Sequence, residues 1–293
     1  MYLTGFADEA AKDLATQIRA TLELGWSAIE SRNIDGVSIH DLDDAAFDRA
    51  VAQLEESGVR INCFGSAIAN WGKRIDSEED FQKDLAQVGR AIPRMRRLGT
   101  KLVRIMSYAV LPDRGPEDQM EQERFRRLRE ITKRFLDAGI QPVHENCMNY
   151  GGMGWPYTLR LLENVPGLKL VFDTGNPIFT LDRSKPEPYP YESSWEFYEN
   201  VRDFVEYVHI KDGVRDSEGA HEFTWCGEGL GDVKRICADL FARGYDGGFS
   251  MEPHLAVVFH DASVQSPDDV RYANYVEYGR RFEAILRDVG YEW

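Results

Sequence analysis

Short apolar or β-branched runs alternate eight times with amphipathic stretches along this chain, and a glycine usually closes each amphipathic stretch just before the next run. The runs predict strands at residues 3–7, 28–32, 60–64, 101–106, 141–145, 169–173, 207–211 and 248–252. Between them, apolar residues recur at threes and fours, the spacing of one helix face: Leu14, Ile18 and Leu22; Phe47, Val51 and Leu54; Phe125, Leu128, Ile131 and Phe135; Val233, Ile236, Cys237 and Leu240; Phe282, Ile285 and Val289. Gly25, Gly58, Gly99, Gly139, Gly167 and Gly244 each fall just past such a stripe, where a left-handed helix cap suits glycine.

Strands separated by helices pair in parallel through right-handed crossovers. Eight such units without a phosphate-binding GxGxxG predict an α/β fold closed as a single (β/α)8 TIM barrel, with a doubly wound sheet as the alternative. No composition break or linker divides the chain, so one domain over residues 1–293 is expected. The long irregular piece, residues 177–194 with Pro186, Pro188 and Pro190, is expected to loop over the barrel mouth.

Charge narrows the partners. Fifty acidic residues against 35 basic ones give a net charge of −15 with no basic run, which repels a phosphate backbone, so nucleic acid is not expected as a partner. No apolar stretch has the length of a membrane span, and MYLTGFADEA lacks the basic start and apolar run of a signal peptide; the expected location is cytoplasmic, with no membrane partner. The four cysteines, Cys63, Cys147, Cys226 and Cys237, show no CxxC spacing and are expected as small buried residues without a role.

In such a barrel the loops at the carboxyl ends of the strands converge on one mouth. The fifth strand ends at Glu145 in VHENC, the sixth at Asp173 in LVFDTGN, the seventh carries His209 in YVHIKD and the eighth ends at Glu252 in SMEPH. Singly, each has a bland reading as a helix cap, a salt-bridge partner or a satisfied core histidine. Together, three converging carboxylates would repel one another unless a cation neutralised them, so the set predicts one divalent metal ion held by Glu145, Asp173, His209 and Glu252. Three oxygen donors and one imidazole suit Mn²⁺, the first choice, or Mg²⁺, Co²⁺ or Zn²⁺. Two further positions on a six-coordinate ion would take a carbonyl and a neighbouring hydroxyl of a sugar.

At these residues, and in HIKD at 209–212, GEGLGDV at 227–233 and GFADE at the first strand, the chain resembles the sugar phosphate isomerase/epimerase superfamily, the xylose isomerase-like TIM barrels. That superfamily includes ketose 3-epimerases, inosose dehydratases and endonuclease IV. The resemblance implies that the quartet holds one metal and that Glu145 and Glu252 also move the proton. Two departures stand out. Asn176 occupies a position three residues after the aspartate where many members have histidine, and the six histidines do not supply the three-zinc pattern of endonuclease IV.

The expected function is therefore a divalent-metal-dependent epimerase or isomerase of a ketose or keto-sugar. One glutamate removes the α-proton, an enediolate forms, and the other glutamate returns the proton. His144 opens a second reading. As an alternating strand residue it should face away from Glu145, but near the strand end it could act as a catalytic base, giving a metal-dependent lyase or dehydratase of a keto-glycoside or inosose-like substrate. A third reading is a non-catalytic sugar-binding barrel subunit. Glu30, Asn62, Lys211, Arg215 and Trp225 are candidate substrate contacts, as are Glu9 and Trp71, each with an ordinary structural alternative in capping, ion pairing or rim packing. The partner expected is a small-molecule carbohydrate, and the sequence is compatible with a homo-oligomer.

Overall fold

A computed structural model of the chain describes residues 1–216, 218–258 and 261–292. Eight strands line its centre: β1 (Tyr2–Gly5), β2 (Ala28–Ser31), β3 (Arg60–Gly65), β4 (Leu102–Ile105), β5 (Gln141–Glu145), β6 (Lys169–Asp173), β7 (Val205–Ile210) and β8 (Gly248–Met251). Each pairs in parallel with its sequence neighbour from β2 to β8, and β8 pairs with β1. A parallel bridge between Phe6 and Glu30 joins β1 to β2, so the sheet closes on itself as a (β/α)8 barrel.

The outer ring comprises α1 (Leu14–Glu23), α2 (Asp44–Ser57), α3 (Glu78–Leu98), α4 (Glu121–Asp137), α5 (Trp155–Asn164), α6 (Ser194–Val201), α7 (Val233–Ala242) and α8 (Asp268–Val289). Local chemistry sets their ends. Asp43 accepts a hydrogen bond from Ala46 N at the start of α2 and Ser77 from Asp80 N at the start of α3, while Gly58 and Gly99 close the same helices at φ of 73° and 71°. The stripes expected from the sequence pack inward: Phe47, Val51, Leu54, Phe125, Leu128, Ile131 and Phe135 are all buried between helices and strands.

Three small antiparallel hairpins were not predicted: Asn33–Ile34 with Val37–Ser38, Gly213–Arg215 with His221–Phe223, and Val257–Val258 with Asp261–Gln265. They follow β2, β7 and β8, so all three sit at the carboxyl end of the barrel. The stretch expected to be irregular contains one short helix, Asn176–Phe179, and a bridge between Leu181 and Tyr191 before α6 begins. All four cysteines are buried and free. No helix among the described residues is long and apolar enough to cross a membrane.

Candidate functional site

Strand alternation builds the site in layers. Cys63, Val143, Val171 and Tyr207 form a small apolar cluster inside the barrel, flanked by Tyr2 and Leu102. Two residues further along β5, β6, β7 and β4 the same inward face presents Glu145, Asp173, His209 and Arg104. Phe6, fully buried, stands beside this polar layer; its ring lies 5.1 Å from that of His209, with the guanidinium carbons of Arg32 and Arg104 at 4.5 and 5.1 Å from its centre. Gly65 leaves space for that ring, since a Cβ at position 65 would collide with Phe6.

One donor atom from each of Glu145, Asp173, His209 and Glu252 lies within 4.8 Å of every other, and all four residues are buried. His209 Nε2 is held 3.0 Å from Glu30 Oε2, which leaves Nδ1 directed at Glu145 Oε1 (3.5 Å) and Asp173 Oδ2 (4.0 Å) without an aligned hydrogen bond. Asp173 Oδ1 accepts from the backbone N–H groups of Gly175 and Asn176, so its other oxygen is the one turned to the cluster. Lys211 Nζ stands at ion-pair distance from Asp173 Oδ2 (3.2 Å) and Glu252 Oε2 (2.6 Å), but its aligned hydrogen bond goes to Asn176 Oδ1 (3.1 Å). Asn176 in turn donates to Glu145 Oε1 at 3.1 Å.

The surrounding charges set the protonation states. Burial opposes ionisation of Glu145, but Arg104, 3.0 Å away, and then His209 outweigh it and hold the carboxyl at about 2. Glu252 is likewise held well below the usual range against burial, first by Lys211, with Arg32 2.7 Å away also contributing. Asp173 goes the other way: burial, with repulsion from Glu145 and Glu252, prevails over Lys211 and raises its carboxyl. Glu30 and then Glu145 outweigh the burial of His209 and raise it to about 10. Three buried carboxylates, with an imidazole nitrogen lacking an aligned partner aimed among them, are a donor set that suits a hard divalent ion. The cluster can hold a metal.

A cavity of about 210 Å³ opens above the quartet, lined by Glu145, Glu252, Lys211 and Asn176 together with Arg32, Arg104, Trp71 and His254. The other expected contacts are placed elsewhere. Glu30 is fully buried behind His209, and Asn62 bonds Thr4 Oγ1 and Tyr207 Oη within the barrel. Arg215 donates to Ile178 O and lies over the Tyr191 ring, while Trp225 stacks beneath Arg281 near Tyr278. None of these four lines the cavity. His144 is turned away too: fully buried, it meets Ser107 Oγ at 3.0 Å and Asn149 Oδ1 at 3.2 Å on the outer side of β5, and burial depresses it to about 4. Alternation persists to the end of the strand, so His144 does not reach the mouth.

Residues 18–272 match the family described as xylose isomerase-like TIM barrel. The chain belongs to that family. Solved xylose isomerase-like barrels superpose over nearly its whole length. One from Mycobacterium smegmatis, in complex with magnesium, is 20% identical at a TM-score of 0.66, covering 93% of this chain and 89% of that one. The D-psicose 3-epimerase with D-tagatose from Clostridium cellulolyticum H10 is 16% identical at a TM-score of 0.66, covering 98% and 99%. The probable 3-DHS dehydratase of petrobactin synthesis from Bacillus anthracis is 16% identical, also at 0.66, covering 94% and 97%. These likenesses concern the fold. No curated protein matches the chain in sequence.

Within this barrel the sequence reading missed Arg32, Arg104 and His254. Arg104 interrupts the apolar run LVRI and Arg32 ends AIESR, so the cost of burying charge, which singled out Glu145, was also a signal for them. His254 has no such signal. It lies beyond β8 in a left-handed backbone turn at φ 55°, with Nδ1 2.9 Å from Glu9 Oε1, a contact between the two ends of the chain.

Proposed function

We propose that this protein is a divalent-metal-dependent epimerase or isomerase of a ketose or keto-sugar. The observation that carries the reading is that Glu145 and Glu252, from strands three apart around the barrel, line one cavity and share one cluster with Asp173 and His209. Those four residues would hold the ion, Mn²⁺ by first choice, and when bound it would polarise the substrate carbonyl.

Both glutamates are ionised, so either can accept the α-proton from a substrate in the cavity, and the other can deliver a proton to a different face or to the adjacent carbon once it has taken that proton up from solvent. Lys211 lines the same cavity and supplies positive charge for an oxygen that gains negative charge as the proton leaves. Arg104 and Arg32 fix the two glutamates by ion pairs at 3.0 and 2.7 Å. The outward position of His144 supports epimerisation over the lyase alternative, because it takes away the base on which aglycone elimination was to rest.

The test is proton exchange in heavy water. Mn²⁺-loaded protein incubated with candidate ketoses should place deuterium at the reacting carbon, and Glu145→Gln or Glu252→Gln should lower turnover by about 10²- to 10⁴-fold. Protein that binds no stoichiometric divalent ion, or that cleaves a 3-keto glycoside while turning over no ketose, would overturn the proposal.

A further inference from the structure

The cavity above the quartet is not the end of the mouth. A second cavity of about 590 Å³ adjoins the 210 Å³ one, and Met148, Asn176, Lys211 and His254 line both. Beyond those shared residues its walls carry the apolar Phe179, Phe223, Leu255, Val258 and Val264 together with the polar Thr180, His221, Glu222 and Asp261. The rings form a run leading outward from the metal-facing cavity. Phe223 stands edge-on to His254 with centres 4.9 Å apart, Phe179 is 5.1 Å from Phe223, and His221 is 5.1 Å from Phe179.

The backbone is shaped to present this run. His221 and Phe223 are alternate residues of one short strand and so share a face, and that strand pairs with Gly213–Arg215. Gly213 lies against Phe179, where any Cβ would collide with the ring. A hydroxylated chain laid against the Phe, Leu and Val side chains finds no partner for its hydroxyls there and can bond only the polar part of the wall, Thr180, His221, Glu222 and Asp261. An aromatic ring gains from the same wall through apolar burial and edge-to-face contacts.

We propose that the second cavity is a subsite for an aryl substituent carried on the hydroxylated keto substrate, so that the protein favours an aryl conjugate over the unsubstituted keto-sugar. This rests on reading the metal-facing cavity as the reaction centre. The two cavities share Met148, Asn176, Lys211 and His254 as a common wall, so the hydroxylated part sits over Glu145 and Glu252 while the aryl arm passes Met148 and His254 onto Phe223 and Phe179.

Titration calorimetry on the full chain loaded with Mn²⁺ tests the inference, using 4-nitrophenyl β-D-glucopyranoside, methyl β-D-glucopyranoside and cellobiose as probes. The nitrophenyl glycoside should bind on the order of ten-fold tighter than the methyl glycoside. Phe179→Ala should shrink that ratio to about two-fold or less, and so should Leu255→Ser, a change at a partly exposed position that keeps the test usable if the first variant folds poorly. Mn²⁺ affinity serves as the control. Equal affinity for the two glucosides in protein that binds both only with Mn²⁺ would overturn the aryl subsite and leave the reaction centre standing. Cellobiose binding as tightly as the nitrophenyl glycoside would assign the cavity to a second sugar and also overturn it. A Phe179-dependent aryl preference in protein that takes up no Mn²⁺ would keep the subsite and remove the reaction centre.

Discussion

Glu30 Oε2 lies 3.0 Å from His209 Nε2, both residues wholly buried, at the seam where β1 meets β2 and the barrel closes. The contact fixes the imidazole so that Nδ1, not Nε2, is presented to Glu145 and Asp173. A carboxylate behind a ligand histidine also raises the basicity of the nitrogen facing the metal.

Replacing that carboxylate should therefore weaken the metal site without touching a ligand. Glu30→Gln keeps the shape and loses the charge, and Mn²⁺ affinity measured by competition with a chelating dye should fall about 10- to 100-fold. Unchanged affinity in a folded Glu30→Gln protein would show that Glu30 serves only barrel closure.

Much of the site could be read from the sequence because two rules fix it, namely that inward positions recur every second residue and that the loops at the strands' carboxyl ends converge. Those rules bring together Glu145, Asp173, His209 and Glu252 although the last lies one residue beyond β8. They fail for Asn62. The pairing of β2 with β3 shifts so that Ile29 faces Ile61 while Glu30 faces Cys63, and the extra residue, Asn62, turns into the barrel toward Thr4 and Tyr207. A bulge is set by how two strands meet, which neither strand encodes alone. The hairpins at the mouth escaped for a related reason, since two- to five-residue strands carry too few alternations to show a period. The first also hides Asn33 from a strand reading, because it follows β2 so closely.

His144 yields a second prediction. Its imidazole fills a space between β5 and the Tyr150–Met153 turn, where it meets Ser107 and Asn149 and where a Cβ on Gly151 would strike it. His144→Ala should leave a cavity beside Ser107 and Asn149, which keep each other and the Gly151 N–H as partners, and lower stability by about 2–4 kcal/mol in denaturant unfolding. The folded fraction should keep Mn²⁺ stoichiometry and turnover. Loss of turnover with stability and metal binding intact would return His144 to the catalytic machinery.

The third prediction concerns acid. His40 is 1% exposed, neither ring nitrogen has a hydrogen-bond partner, and the nearest carboxylate oxygen, on Asp41, is 3.5 Å from Nε2. Burial, reinforced by Arg90, Lys73 and Arg94, outweighs Asp41 and depresses the ring from 6.5 to about 4. In the unfolded chain the same ring regains its ordinary value, so between those two values the unfolded state binds more protons and stability must rise with pH. The folded state is thus penalised progressively as pH falls from about 6.5 towards 4, by roughly 3 kcal/mol at the bottom of that window if the whole shift is expressed. Above about pH 7.5 the ring is neutral in both states and contributes no slope. Thermal unfolding from pH 7.5 to 4.5 should show a falling Tm, and His40→Leu, apolar and of similar bulk, should flatten the part of the slope between 6.5 and 4.5. The variant would keep the remaining acid sensitivity of His144, which burial depresses to the same region. A slope that is identical in His40→Leu and the unaltered protein would mean that His40 takes up its proton in the folded state as easily as in the unfolded one.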